Sequence, residues 1–212
     1  MQLMIAVPCM EQLDVRFVQS LYNLQAPADT MIQFSPGSLV YDARNKLAQK
    51  AIGFGCDYIL WLDSDMVFDG NMLGKMVESI GDRDFLTGLY FERRAPWRPT
   101  IFSPCHVEYH DDGSCTPICE RVKHIPNEIF EIEACGFGCV LMKTKPLADI
   151  FTAGGLPFSP LFGVGEDISC CIRLHEMGIK MWCDPNLIFG HVGHVVVGDK
   201  TFIDDWNQQQ KK

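Results

Sequence analysis

Residues 58–62 read YILWL and run without a break into Asp63, Ser64 and Asp65. Five consecutive apolar residues offer water no polar face, so a strand made of them must be covered on both sides, the condition of a central strand in a layered α/β sheet. Acid follows core with no transition, at the kind of strand end where parallel α/β sheets bind ligands. Two carboxylates two residues apart suit a hard divalent cation that also holds a diphosphate, although taken alone they equally describe a solvated turn or a helix cap.

The rest of the chain agrees with that architecture. Strands are expected at Leu3–Val7, Asp84–Tyr90, Cys139–Lys143 and, as the last, Ile179–Cys183, alternating with helical patterns in the manner of a largely parallel sheet. One helix follows an N-cap at Asp14, with Val15, Val18, Leu21 and Tyr22 sharing a face. A second spans about Ala43 to Ile52, with Leu47, Ala48, Ala51 and Ile52 as its buried stripe, and a third carries Met72, Leu73, Met76, Val77 and Ile80. Pro146 belongs to the first turn of a short helix, and another begins near Glu166 and ends at Gly178. Residues 92–125, rich in proline and without periodicity, read as a loop-rich insertion with one hairpin, and a polar tail from about 207 to 212 reads as frayed.

Composition narrows the functions open to such a chain. At 212 residues, 47% hydrophobic and 21% charged, there is material for one sizeable domain but not for two large ones. No apolar run approaches the ~20 residues of a spanning helix, so no integral membrane segment is expected. The opening MQLMIAVPC lacks a basic start and meets Pro8 early, which reads as a strand rather than a signal peptide and makes the cytoplasm the expected location. Lys plus Arg (18) against Asp plus Glu (27) gives a net charge of −9, a surface that repels polyanions and argues against nucleic acid as a partner. The ten cysteines read as thiols, mostly buried. Cys105, Cys115 and Cys119, with His106 and His110 nearby, raise a zinc site in the insertion, but their spacing matches no paired CxxC pattern.

Two enzyme classes carry an apolar strand followed by such acids. YILWLDSDMV is similar to the signature of haloacid-dehalogenase-like phosphatases, in which Asp63 would be the nucleophile and Asp65 the acid/base; that motif normally occupies the first strand of its domain, whereas here a strand and two helices precede it. Over nearly its whole length the chain instead resembles the GT-A-fold glycosyltransferases, especially the family-2-like ones. The matching pieces come in order: IAVP, ARNKLAQKA, YILWLDSDMVF, GLYFERR, CGFGCVLMKTKPL, GEDISCCIRLHEMGIKMWCDP and GHVGH.

The resemblance implies an α/β fold: a single GT-A-like (Rossmann-like) domain with a mostly parallel central sheet, flanked by helices. It implies a metal-dependent, hexosyltransferase-type enzyme that moves a sugar from a nucleotide-sugar donor to an acceptor hydroxyl, with inversion if Asp167 is the base. The other class open to the sequence is a non-catalytic nucleotide-sugar or carbohydrate-binding domain of the same fold. Carried onto this chain, Pro8, Arg44, Asn45, Asp63, Ser64 and Asp65 belong to the donor site, with Asp63 facing the nucleotide. Asp65 holds Mn²⁺ or Mg²⁺ with His191, Asp63 adjoins that cation, and His194 is the alternate ligand. Asp167 takes the acceptor proton, and Glu166 supports it or binds the acceptor. Arg44, with its planar fork of donors, is either a donor-site group or an exposed helix arginine. Gly136 and Gly138 permit close approach of a sugar or mark a bulge, and Tyr90 stacks on a sugar or fills the core.

Overall fold

The computed structural model describes residues 1–212 other than 38, 162, 194, 195, 199, 211 and 212, and of residues 196, 197 and 201 only the backbone. In chain order the elements are β1 Leu3–Cys9, α1 Val15–Tyr22, β2 Met31–Pro36, α2 Val40–Gly53, β3 Tyr58–Leu62, β4 Met66–Val67, α3 Met72–Ile80, β5 Phe85–Leu89, β6 Ile101–Tyr109, β7 Cys115–Arg121, β8 Phe130–Ile132, β9 Ala134–Cys135, β10 Cys139–Lys143, α4 Lys145–Thr152, α5 Glu166–Glu176, β11 Met181–Ile188, β12 Gly190–Val192, β13 Val196–Val197 and α6 Lys200–Gln209.

A seven-stranded sheet in the order β2-β1-β3-β10-β5-β11-β8 forms the centre. β1 pairs in parallel with β2 and β3, and β11 in parallel with β5, whereas β10 runs antiparallel to both β3 and β5 and β8 antiparallel to β11. Five strands therefore share one direction. The fold is the expected α/β domain with a mostly parallel sheet, crossed near its middle by one reversed strand.

The apolar runs bury both of their faces, and the pleat sorts their residues strictly by period two. Met4, Ala6, Ile59, Trp61, Val140 and Met142 face one core, which is closed by Leu47, Ala48 and Ala51 of α2, Leu147 and Ile150 of α4, and Ile168, Cys170, Cys171 and Leu174 of α5. Leu3, Ile5, Val7, Leu60, Leu62 and Leu141 face the other, closed by Phe17 of α1 and Leu73, Met76 and Ile80 of α3. Two smaller sheets lean on this body. β6 and β7 form the hairpin of the insertion, with β9 paired to β6, and β4-β12-β13 clips the DSD segment to the end of the chain.

Four expectations need correction. The N-cap of α1 is Asp14, whose carboxylate accepts from the Arg16 N–H, but the helix presents a different face to the sheet. Phe17 and Ser20 are buried, while Val15 and Tyr22 are 67% and 88% exposed. Phe17 seats edge-on against Phe68, and Ser20 Oγ accepts from the Phe68 N–H, so one aromatic and one hydrogen bond set the rotation of the helix. β2 was not anticipated, being an edge strand whose alternate residues face solvent. β11 extends to Ile188 and is followed by two further short strands. The tail is helical through Gln209 and pinned: Asn207 exchanges two hydrogen bonds with the Ile125 backbone, and Trp206 Nε1 donates to the Val122 carbonyl.

All ten cysteines are unpaired thiols and seven are buried. The register sets Cys105 opposite Cys119 and Cys115 opposite Tyr109, and among the described residues no three His, Cys, Asp or Glu side chains gather as a metal site.

The rotation of α1 predicts a sharp contrast in stability. Phe17→Ala should cost about 3–5 kcal/mol in denaturant unfolding, whereas Val15→Ser and Tyr22→Ser should stay within about 0.5 kcal/mol. Equal losses at the three positions would mean that the helix is turned the other way.

Candidate active site

Backbone pairing makes the site before any side chain is considered. Asp63 N–H continues the β3–β10 ladder by donating to the Gly138 carbonyl, and Met66 N–H closes a tight turn onto the Asp63 carbonyl. That turn holds Ser64 and Asp65, and its outer side is tied down where Val192 N–H donates to the Asp65 carbonyl. The β4–β12 pairing sets His191 opposite Met66, next to Asp65.

Arg44 is the centre of the arrangement. It lies on the first turns of α2 and is only 2% exposed. Its guanidinium donates to Asp63 Oδ1 at 2.7 Å, to Glu166 Oε1 at 3.3 Å and to the Phe137 carbonyl at 3.5 Å. Trp61, Phe137 and Phe158 wall it in, with ring centroids 5.5 to 5.9 Å from its central carbon. Burial works against its charge, but Asp63, Glu166 and Asp167 outweigh that cost and hold its pKa above the usual value. The exposed-arginine alternative is thereby removed: Arg44 fixes two of the four acids in place.

The acids respond to this setting differently. Burial pushes the Asp63 carboxyl up to about 6, against the pull of Arg44 and with help from Asp65 and Asp167. Burial also opposes ionisation of Asp65, but the neighbouring His191 and Arg93 prevail and hold its pKa below the usual range. Arg93 donates to Asp65 Oδ2 at 2.8 Å, and His191 Nε2 lies 3.4 Å from the same oxygen. His191 Nδ1 is 2.8 Å from the Phe91 carbonyl, which fixes the ring beside Asp65. Asp167 opens α5 and takes the Ile168 N–H on Oδ1, and its pKa is raised by burial and by Glu166 beside it.

Pro8, Arg44, Asp63, Ser64, Asp65, Glu166 and Asp167 come together around a cleft of about 240 Å³, with Cys9, Gly37 and Val40 also on its wall. Asn45 does not line it. Its Oδ1 accepts from the Phe158 N–H and so secures one of the rings around Arg44. Gly136 and Gly138 also serve the packing: a Cβ on Gly136 would fall 2.1 Å from Tyr90 Oη, and one on Gly138 2.7 Å from Tyr90 Cζ. Tyr90 is buried across both glycines, accepts the Gly138 N–H at 3.0 Å, and meets the His191 ring edge-on. It fills the core and supports the site from beneath. His194 lies outside the described residues. Arg93 was not singled out from the sequence; the only signal was its place in GLYFERR.

Asp65 Oδ2 and His191 Nε2, 3.4 Å apart, are the oxygen and nitrogen that could hold Mn²⁺ or Mg²⁺ if further oxygens came from a diphosphate; among the described residues no group of three such side chains forms. Asp63 is committed to Arg44 through Oδ1, which leaves Oδ2 as its remaining acceptor oxygen.

The mostly parallel sheet crossed by the reversed β10 gives the domain a GT-A-like fold. A197 from STIV superposes with a TM-score of 0.60 over 91% of this chain and 86% of that one, at 16% identity. GalNAc-T7, crystallised with UDP, GalNAc and Mn²⁺, superposes with a TM-score of 0.57 at 10% identity, over 91% of this chain and 44% of that one. The chain thus spans less than half the length of the latter. The sequence matches no family model and no curated protein.

The Tyr90 packing predicts a specific rescue. Gly136→Ala should destabilise by about 1–3 kcal/mol through overpacking, and Tyr90→Phe, which deletes the clashing hydroxyl, should recover most of that loss. Gly138→Ala, opposed by the ring itself, should not be recovered. Equal behaviour of the two alanine variants in the Phe background would refute the packing described.

Proposed function

We propose that the protein is a glycosyltransferase that moves a sugar from a nucleoside-diphosphate sugar to an acceptor hydroxyl. The observation that carries this reading is the convergence of Asp63, Asp65, Glu166 and Asp167 on one cleft around the buried Arg44, in a GT-A-like fold. The nucleoside lies against Pro8 and Asp63, and the diphosphate lies at Asp65 and His191. Asp65 and His191 would hold a divalent cation, which would supply charge neutralisation for the leaving diphosphate.

In the transfer, the acceptor oxygen forms a bond to the anomeric carbon while the bond from that carbon to the diphosphate oxygen breaks. The electron pair leaves with the nucleoside diphosphate, and the hydroxyl proton passes to the Asp167 carboxylate. Displacement from the face opposite the leaving group inverts the anomeric centre. A raised pKa suits Asp167 to this task, because a base is most effective when its pKa approaches the working pH. Glu166, fixed by Arg44, is placed to orient the acceptor.

Asp167→Asn should lower turnover by about 10²–10⁴-fold while the affinity for nucleoside diphosphate stays near that of the native protein. Because Asp167 must be ionised to accept the proton and its pKa is raised, native turnover should fall on acidification at a pH above the ordinary aspartate value of 3.8. The Asn variant should lose the Asp167 part of that acid limb from its residual rate and keep only the fall that protonation of Asp63, at about 6, brings. A variant retaining most of its rate would reduce Asp167 to a helix-terminal charge.

His191→Ala should raise the Mn²⁺ concentration required for nucleoside-diphosphate binding, read by calorimetry at fixed nucleotide. An unchanged Mn²⁺ requirement would remove His191 from the cation site.

A further inference from the structure

Beside the acidic cleft lies a second, larger one of about 700 Å³, lined by Glu92, Arg93, Arg94, Ala95, Arg98 and Gly193. The two meet at Asp65, which lines the first and is bonded by Arg93 of the second. Residues 92–98 are held in shape by their own backbone: Glu92 N–H donates to the Arg98 carbonyl, and Trp97 N–H to the Arg94 carbonyl. Trp97 and Phe91 both pack on Phe202 of α6, so the last helix props this loop from behind.

The charges do not cancel. Arg93 pairs with Asp65, while Arg98 and Arg121 share Glu92, and Arg94 makes no ion pair among the described residues. Four guanidiniums thus face two carboxylates, a local excess of +2 on a chain whose formal charge is −9. Arginine forks of this kind match the planar oxygens of phosphate and carboxylate groups.

We propose that this arginine-lined cleft seats an anionic group, a phosphate or a carboxylate, carried by the acceptor. The proposal rests on the transferase reading above and deepens it by naming the acceptor's class. The donor's own diphosphate is the other source of such an anion. It is held at Asp65, within reach of Arg93, but Arg94 and Arg98 line only the second cleft, Arg94 without an ion pair among the described residues and Arg98 sharing Glu92 with Arg121, which leaves both able to meet a different molecule. An acceptor anchored there extends toward Asp65 and the reacting centre beside it.

The test uses the full chain, the Arg94→Gln variant and the Arg94→Gln/Arg98→Gln double variant, titrated by calorimetry at low salt, without metal for the simple anions and with Mn²⁺ for the nucleoside diphosphates. The probes are inorganic phosphate, citrate and a panel of nucleoside diphosphates. Arg94→Gln removes no ion pair described here and serves as the variant least able to disturb folding. Phosphate and citrate should bind the native protein and bind the double variant about tenfold more weakly, with nucleoside-diphosphate affinity unchanged. Equal phosphate and citrate affinity in native and variant proteins, or none in either, would overturn the anion seat. A parallel loss of nucleoside-diphosphate affinity would assign the arginines to the donor and overturn the acceptor assignment. Should no nucleoside diphosphate bind any of the proteins while phosphate still distinguishes them, the transferase reading fails and the acceptor assignment falls with it, although the anion seat stands.

Discussion

A guanidinium buried among three aromatic rings and bonded to two carboxylates is the constraint around which the site is organised. Removing one partner of a buried ion pair typically costs about 3–5 kcal/mol, because the remaining charge is left without water or counter-charge. Arg44 therefore binds α2, the end of β3 and the start of α5 into one arrangement, although Arg44 and Glu166 are 122 residues apart. Without it, Asp63, Asp65, Glu166 and Asp167 would gather four like charges about one cleft. With it, two of them are anchored, and burial, together with the remaining repulsion among the acids, keeps Asp63 and Asp167 raised.

The second cation works on the opposite principle. Arg93 touches Asp65 from a largely exposed position, and exposed pairs are worth little in water, generally about 0–1 kcal/mol. Such a contact is readily exchanged for a better counter-charge. The two arginines thus divide the DSD segment: the first acid is held by a fixed partner, and the second by one it can release. The second position is the one beside His191, where the proposed cation would sit.

Much of this was readable from the sequence, for reasons that differ by residue. Tyr58–Leu62 and Cys139–Lys143 were placed to the residue, and a helix was recognised from its stripe between Met72 and Ile80, because unbroken apolar runs and a clean helical stripe admit few alternatives. The reversal of β10 was not readable, since alternation along a strand is the same in either direction. Helical spacing showed which residues of α1 share a face but not which face the sheet takes, and Phe17 outweighed the valines. β2 escaped notice because an edge strand needs only a few buried residues. At the site, the acids and Arg44 could be named from their ordered motifs. The meaning of Gly136 and Gly138 depends on Tyr90, which lies more than forty positions earlier and which no local pattern links to them.

The strand pair β4–β12 joins residues 66–67 to residues 190–191, and the Val192 amide closes on the Asp65 carbonyl. A chain emerging from the ribosome meets these partners at very different times. The β1–β3 pairing, the α3 stripe and even β10 can all assemble while the final quarter is still being made. The turn that carries Asp65 stays open on one side until β12 emerges, so the scaffold is built in synthesis order but the site is finished last. A chain made only as far as β10 already holds the strands at the middle of the sheet while the turn at Asp65 is still unfinished.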